Sequence, residues 1–533
     1  MNDLNDDRIK IEILRLKNEG LSYRKISNCL GIPKTTIGEF LRGETYSEWW
    51  AEYEDKPLIS GYKYDHHSNI TKTKNKRFIL TSAQNNTFCN KDFLQSLQCM
   101  ALYNNAQIII GTFSYNKNGF QNLQKSDADW FDPLIADYII DEPLQLADGL
   151  IWCGELNILP TADSPLSGLY GYTRSNSGII PHVKVQMQSL PTTNKNDHKF
   201  LYTTGAVTLR NYITKKSGQK ASFHHIFGAL YVEVDDDGDW FVRQLSADDD
   251  GSFYDLDKKY NPDYTIESNQ IIEAVNWGDL HSEKKDDVVY RVSFSDDDKS
   301  ILNILKPRYQ FISDTLDFTV RNHHNISDPY FRFECYITGK NKVVDNIKSV
   351  VDTLKMLDRD YSIVVVVRSN HDLAFDRWLK EADYKNDPEN AIFFLEHQLA
   401  KYKSIEARDK NFNIFEYAVK KLNPDERAIF LNIDDGFKIC NNNGDGIECG
   451  SHGHIGVNGS RGSVQGFTKL SAKYNIAHLH SATIKDGVYC CGVSGKLDMG
   501  YNQGSSTWSH SHVITYKNGK RSIITIKNGK WRV

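Results

Sequence analysis

The sequence predicts an α/β protein of several domains, and three observations carry that prediction. At 533 residues the chain exceeds what one hydrophobic core supports, so about two to four domains are expected. Two stretches, starting near residues 76 and 266, alternate strand-like apolar runs with helix-like ones, as sheets with crossover helices require. Ahead of them, residues 7–43 carry the apolar period of three short helices.

Taken in order, residues 1–48 read as a helix-turn-helix. Ile11, Ile13, Leu14 and Leu16 share a face of the first helix, which Gly20 stops. Ser22 caps YRKISNCL, Gly31 makes the turn, and Pro33 opens KTTIGEFLRG. Ile26 and Leu30 are expected to bury against Ile32, Ile37 and Leu41. Lys34, Thr35, Thr36 and Glu39 then face outward. The string GLSYRKISNCLGIPKTTIGEFL resembles the helix-turn-helix of resolvases, transposases and phage terminases. The resemblance implies that Lys34, Thr35 and Thr36 contact DNA, against the alternative of an oligomerisation module.

Residues 49–75 lack a steady period and read as a linker. Residues 76–265 form a central α/β domain: KRFILTSA (strand), KDFLQSLQCMALYNN (helix), AQIIIGTF (strand), then FHHIFGALYVEVDDDGDWFVRQL as a hairpin turning at Asp236–Gly238. DDDGDW lacks the rest of a calcium-loop signature and reads as a turn. From 266 to 533, IIEAVNW, YQFIS and SIVVVVRS are strand-like, while DNIKSVVDTLKML and NAIFFLEHQLAKY are helix-like. The chain closes on turns at Asn518-Gly519 and Asn528-Gly529.

Hydrophobic content of 40%, charged content of 25% and a net charge of -5 suit a soluble globular protein and exclude a generic polyanion binder. No apolar run reaches about 18 residues, so no membrane span is expected. The polar, acidic start MNDLNDDRIK is unlike a signal peptide. Nine scattered Cys with no CxxC pair point to a reducing, cytoplasmic location.

Eleven of the 17 His lie beyond residue 280, most at strand ends, where α/β sheets build their sites. Asp279-Leu280-His281 follows one strand and can chelate one ion. Asp314 follows a second and can bridge two. Ser369-Asn370-His371-Asp372 follows a third, offering a neutral amide ligand beside a His suited to phosphate. His452 stands in SHGHIGVNGSRG, and His478-Leu479-His480 comes last.

In this order the motifs resemble the calcineurin-like metallophosphoesterases, over residues 266–500. Ser313, Ser369 and Ala477 stand where that family usually has glycine. The resemblance implies a four-layer α/β/β/α sandwich for residues 266–533. It implies that Asp279, His281 and His480 hold one metal, that Asn370, His452 and His478 hold another, and that Asp314 bridges them. His454 is the second choice to His452, as ligand or site lining. His371 would act as the acid on the leaving oxygen, with Asp372 holding its other ring nitrogen. Imidazole, carboxylate and amide donors without thiolate suit two divalent ions, Mn first, with Mg, Fe or Zn as alternatives.

Substrate follows less directly. The Gly-rich run GVNGSRGS offers backbone N–H groups, Asn458 and Arg461 to a phosphodiester backbone, or is a plain tight loop. SAQNNTFCNKDFLQSLQCMA, GALYVEVDDDGDWFVRQL and HGHIGVNGSRGS also resemble the early host-DNA-degradation proteins of T5-like siphophages, distantly similar to SbcD-type exonucleases. That implies a DNase, a homo-oligomer with DNA as partner, at work in an infected bacterial cytoplasm. The other readings are a nucleotide or protein phosphatase, and a non-catalytic DNA-binding or assembly protein on a degenerate phosphoesterase fold.

Overall fold

The computed structural model describes residues 13–14, 16–17, 21–30, 32–42, 71–115, 130–322, 325–441, 446–470 and 472–533. They form a mixed α/β protein with several mixed sheets.

Near the N-terminus, Tyr23–Leu30 and Lys34–Arg42 are helices packed through Ile26, Ile32, Ile37 and Phe40 onto Ile13 and Leu16. Phe40 takes the fully buried place expected for Leu41, which is only partly buried. Lys34 and Thr35 are exposed, and Thr36 is partly so. Gly20, Gly31 and residues 49–70 of the expected linker lie outside the described residues.

Arg77–Gln84, helix Lys91–Asn104 and Gln107–Phe113 form the expected strand-helix-strand unit, with the strands parallel. Asn90 caps the helix by accepting from Phe93 N, and Asn105 ends it at φ 50°. Gly228–Val234 and Trp240–Ser246 extend the same sheet across the Asp236–Gly238 turn. The residues just before that hairpin belong instead to a helix, Lys216–His224. Lys530 pairs with Asp235 and Asp237, so a lysine neutralises the acidic turn.

A six-stranded sheet positions the site. Its order is Ile429–Phe430, Ile363–Val366, Tyr309–Ile312, Ile272–Asn276, Ser511–Tyr516, Arg521–Thr525, the first four parallel and the last two antiparallel. Alternate side chains leave opposite faces. Val275, Ile312, Val364 and Val366 join a core with the helices Asp287–Phe294, Val343–Leu357, Asp372–Glu381 and Ile414–Leu422. Ala274, Phe311, Val365 and Val367 pack against Ile439, Ile447 and Cys449 of a second sheet.

That second sheet has 11 strands and spans the boundary expected at 265/266. Met187–Leu190 pairs with Thr483–Lys485, and one core joins Phe78, Trp152 and Val232 to Ala477, Ile484 and Val513. The boundary therefore marks a change of topology and does not separate two cores.

Candidate metal centre

Parallel strands put their C-terminal ends on one edge, so the loops that follow them meet there. Asp279 and His281 follow Ile272–Asn276, Asp314 follows Tyr309–Ile312, and Asn370, His371 and Asp372 follow Ile363–Val366. From the second sheet, His452 follows Ile447–Glu448, while His478 and His480 follow Lys473–Ile476, again a parallel pair.

Asp279, His281, Asp314, His452 and His480 are buried. His480 Nε2 lies 3.1 Å from Asp279 Oδ2, 3.9 Å from Asp314 Oδ2 and 3.1 Å from His281 Nε2. His452 Nε2 lies 3.4 Å from Asp314 Oδ1 and 3.2 Å from Asn370 Oδ1, and its Nδ1 lies 3.6 Å from Asp279 Oδ1. Two triads result, each with ligand atoms within 4.8 Å of one another: His281, Asp314, His371, and Asp279, Asp314, His452. Asp314 belongs to both.

The backbone is bent to reach this geometry. His281, Asp314, His478 and His480 have φ of 46°, 44°, 68° and 56°. Left-handed backbone costs a non-glycine residue about 1–3 kcal/mol and collects at functional sites. Close approaches hold the loops: Gly278 and Gly492 pack on the backbone of Val493 and Ser509, and a Cβ on Gly462 would lie 1.8 Å from Gly453 O.

Charge divides the histidines. Burial alone would raise the Asp314 pKa, yet His452, His371 and His480 hold it well below the usual carboxylate range, and Asp279 is likewise lowered. Burial would lower His480, but Asp279 and Asp314 push it up to about 9. Burial, then the charge of His452, lowers His454 and His478 to about 4.

The structure brings Asp279, His281, Asp314, Asn370, His452 and His480 together, with two differences in grouping, while His478 reaches the centre through its backbone. Asp279 sits with His452 rather than apart from it, and His371 stands in a triad with His281 and Asp314. His478 donates its backbone N–H to Asp279 Oδ2 and places its ring 5.2 Å from that of His452. His454 lies 5.2 Å from His452, ring to ring, with both ring nitrogens buried and unbonded. Arg461 and Asn458 lie exposed on the Gly-rich turn.

One expectation is corrected. Asp372 does not hold His371. Its oxygens accept from Ser369 Oγ at 2.8 Å and from Thr315 Oγ1 and Leu316 N at 3.2 Å, because the helix it begins turns it back toward the 314–316 loop. Asp317 takes that role instead, with Oδ1 3.4 Å from His371 Nδ1 and 3.0 Å from His281 Nδ1. Sequence reasoning missed Asp317, although it stands three residues after Asp314 in the same strand-end loop. Two serines also brace the loops. Ser313 Oγ donates to Asp279 Oδ1 at 2.7 Å, and Ser369 Oγ to Asp372, bonds that glycine cannot make.

A mixed α/β fold with two carboxylates and a set of imidazoles buried at converging strand ends defines a protein with a candidate metal-binding site. No protein-family model and no solved structure matches the chain. Protein A1 of Escherichia phage T5 is 43% identical over 466 residues, 86% of this chain and 83% of that protein. The chain belongs to this family of bacteriophage proteins.

Proposed function

We propose that the chain is a two-metal phosphodiesterase of the calcineurin-like type and that it cleaves DNA. The observation that carries the reading is Asp314, whose Oδ2 lies 3.8 Å from His281 Nε2 and 3.9 Å from His480 Nε2 while its Oδ1 lies 3.4 Å from His452 Nε2, so that one carboxylate faces two sets of imidazoles, as a bridged pair of ions requires. Helices on one face of the six-stranded sheet and a second sheet on the other support the sandwich architecture.

The donors fit divalent cations, with Mn first and Mg, Fe or Zn as alternatives. Asp317 accepts the Nδ1 hydrogen of His281, which leaves the Nε2 lone pair turned inward, the usual arrangement of a carboxylate behind a ligating imidazole. Asp314 Oδ1 and His452 Nδ1 are buried without hydrogen-bond partners, a cost of about 1–3 kcal/mol each that a bound ion at the centre helps explain.

Divalent cations held by Asp279, His281, Asp314, Asn370, His452 and His480 would supply an activated water and offset the charge of the phosphodiester. The chain's own residues do the rest. Asp317 holds His371 through Nδ1 and leaves Nε2 for the substrate. An imidazolium so oriented would protonate the leaving oxygen. Asp372, Ser369 and Ser313 brace the loops that carry these groups.

DNA is favoured as substrate by the helix pair that exposes Lys34 and Thr35, and by exposed Arg461 and Asn458 on the turn after His454. A phage protein with this activity would degrade host DNA in the infected cytoplasm. The test is purified protein with linear and circular plasmid in Mn, Mg or EDTA, beside hydrolysis of bis-p-nitrophenyl phosphate. Metal-dependent cleavage of both DNA and diester is expected. Monoester hydrolysis without DNA cleavage would point to a phosphatase, and no hydrolysis at all to a binding or assembly protein.

A further inference from the structure

We propose that Tyr501 is a stacking platform for an unpaired nucleobase beside the metal centre, so that the substrate is engaged as single-stranded or frayed DNA. This rests on the DNase reading above.

The platform is a chain of rings leading outward from the site. Trp508 meets the His480 ring edge-on, with centroids 4.2 Å apart and planes at 79°. Tyr501 meets Trp508 at 6.0 Å and 66°. Tyr501 therefore stands one ring removed from a metal-facing imidazole, yet 53% of its surface is open to solvent. Exposure alone does not single it out, since Tyr330, Phe223 and Tyr336 are more exposed; its place one ring from the site does.

The ring is held in place before any ligand arrives. Asn502 accepts from Met499 N at 3.0 Å and donates to Leu497 O at 2.8 Å, closing the loop on itself. Thr192 and Ser506 exchange backbone hydrogen bonds of 2.9 Å, tying the loop to neighbouring structure. Lys284 Nζ lies 5.1 Å from the Tyr501 ring centroid and 3.2 Å from Asp317 Oδ2. Lys284 lies over one face of the ring and is held there by Met499 O and Asp317, so the base is placed on the opposite face, with its backbone toward the metals one ring away. Stacking of this kind tolerates any sequence, since every base has a π face. A base inside an intact duplex has both faces covered, so the base on Tyr501 must be unpaired or frayed.

The test compares wild type, Tyr501→Ala, Tyr501→Leu and Tyr501→Phe on a single-stranded oligonucleotide, and on versions abasic at each position flanking the cut. Stacking predicts that Ala and Leu raise KM by about 5- to 150-fold, with Leu keeping the loop filled, while Phe restores binding. One abasic position should raise the wild-type KM by a similar factor and add nothing to the loss in Tyr501→Ala. Losses that multiply, or an equal effect at every abasic position, overturn the platform alone. Wild type that hydrolyses bis-p-nitrophenyl phosphate but cuts no DNA overturns the DNase reading, and the platform with it.

Discussion

His371 Nδ1 lies 3.3 Å from the backbone oxygen of Asp317 and 3.4 Å from its Oδ1. A carbonyl oxygen only accepts, so Nδ1 carries the hydrogen and the tautomer of the ring is set by Asp317. His371→Ala is expected to keep its metals and DNA binding while turnover on DNA falls about 10²–10⁴-fold. The loss should shrink on bis-p-nitrophenyl phosphate, whose leaving group needs little protonation. Asp317→Asn should cost about 10–100-fold and also weaken metal affinity, because it backs His281 as well. Metal content by mass spectrometry beside both rates decides the matter: a His371→Ala protein short of metal makes His371 a ligand.

Asp314→Asn removes the carboxylate common to both triads. The folded variant is expected to bind fewer than two metals and to lose nearly all activity. A folded variant with two metals and near wild-type turnover would remove Asp314 from the bridging position.

Gly462 leaves no room for a side chain, since a Cβ would lie 1.8 Å from Gly453 O and 3.2 Å from the backbone of His454. Gly462→Ala should therefore push the 452–454 loop away from Asp314 and lower metal occupancy more than it lowers Tm. Unchanged occupancy would show that the loop yields elsewhere.

Deleting residues 1–48 should weaken DNA binding and flatten its salt dependence, as lost phosphate contacts release fewer counterions, while diester hydrolysis persists. Lys34 and Thr35 are the exposed groups that motivate this. Unaltered DNA affinity over a salt titration would assign the helices to protein contacts.

His512 is a buried neutral imidazole whose Nδ1 accepts from Gly278 N at 2.9 Å, next to Asp279. Burial, then His510, lowers its pKa to about 3, below the roughly 6.5 of an unfolded chain. Its contribution is thus fully present above about pH 6.5 and is lost as pH falls toward 3, because the unfolded state takes the proton first. Relative to His512→Gln, which keeps an acceptor, wild type should lose about 1.4 kcal/mol per pH unit across that window. A stability difference that does not vary with pH would contradict this.

The sequence by itself determined three of the strands that carry the site, IIEAVNW, YQFIS and SIVVVVRS, and the chemical types in the loops after them. Apolar, β-branched runs such as SIVVVVRS read as interior strands, and Asp279, His281, Asp314, Asn370 and His371 follow such runs within a few residues. Strand pairing decided the rest. Which imidazole faces which carboxylate depends on left-handed turns at His281, Asp314, His478 and His480 that no periodicity encodes. Asp372 points back into its own loop because a helix starts there, so Asp317 rather than its chain neighbour reaches His371. Tyr501 and Trp508 arrive from a loop with no recognisable motif, and the central strands join the C-terminal ones through Gln188 and Thr483, almost 300 residues apart. Local pattern specifies what a segment can be, whereas contacts this distant in sequence exist only once the sheets have closed.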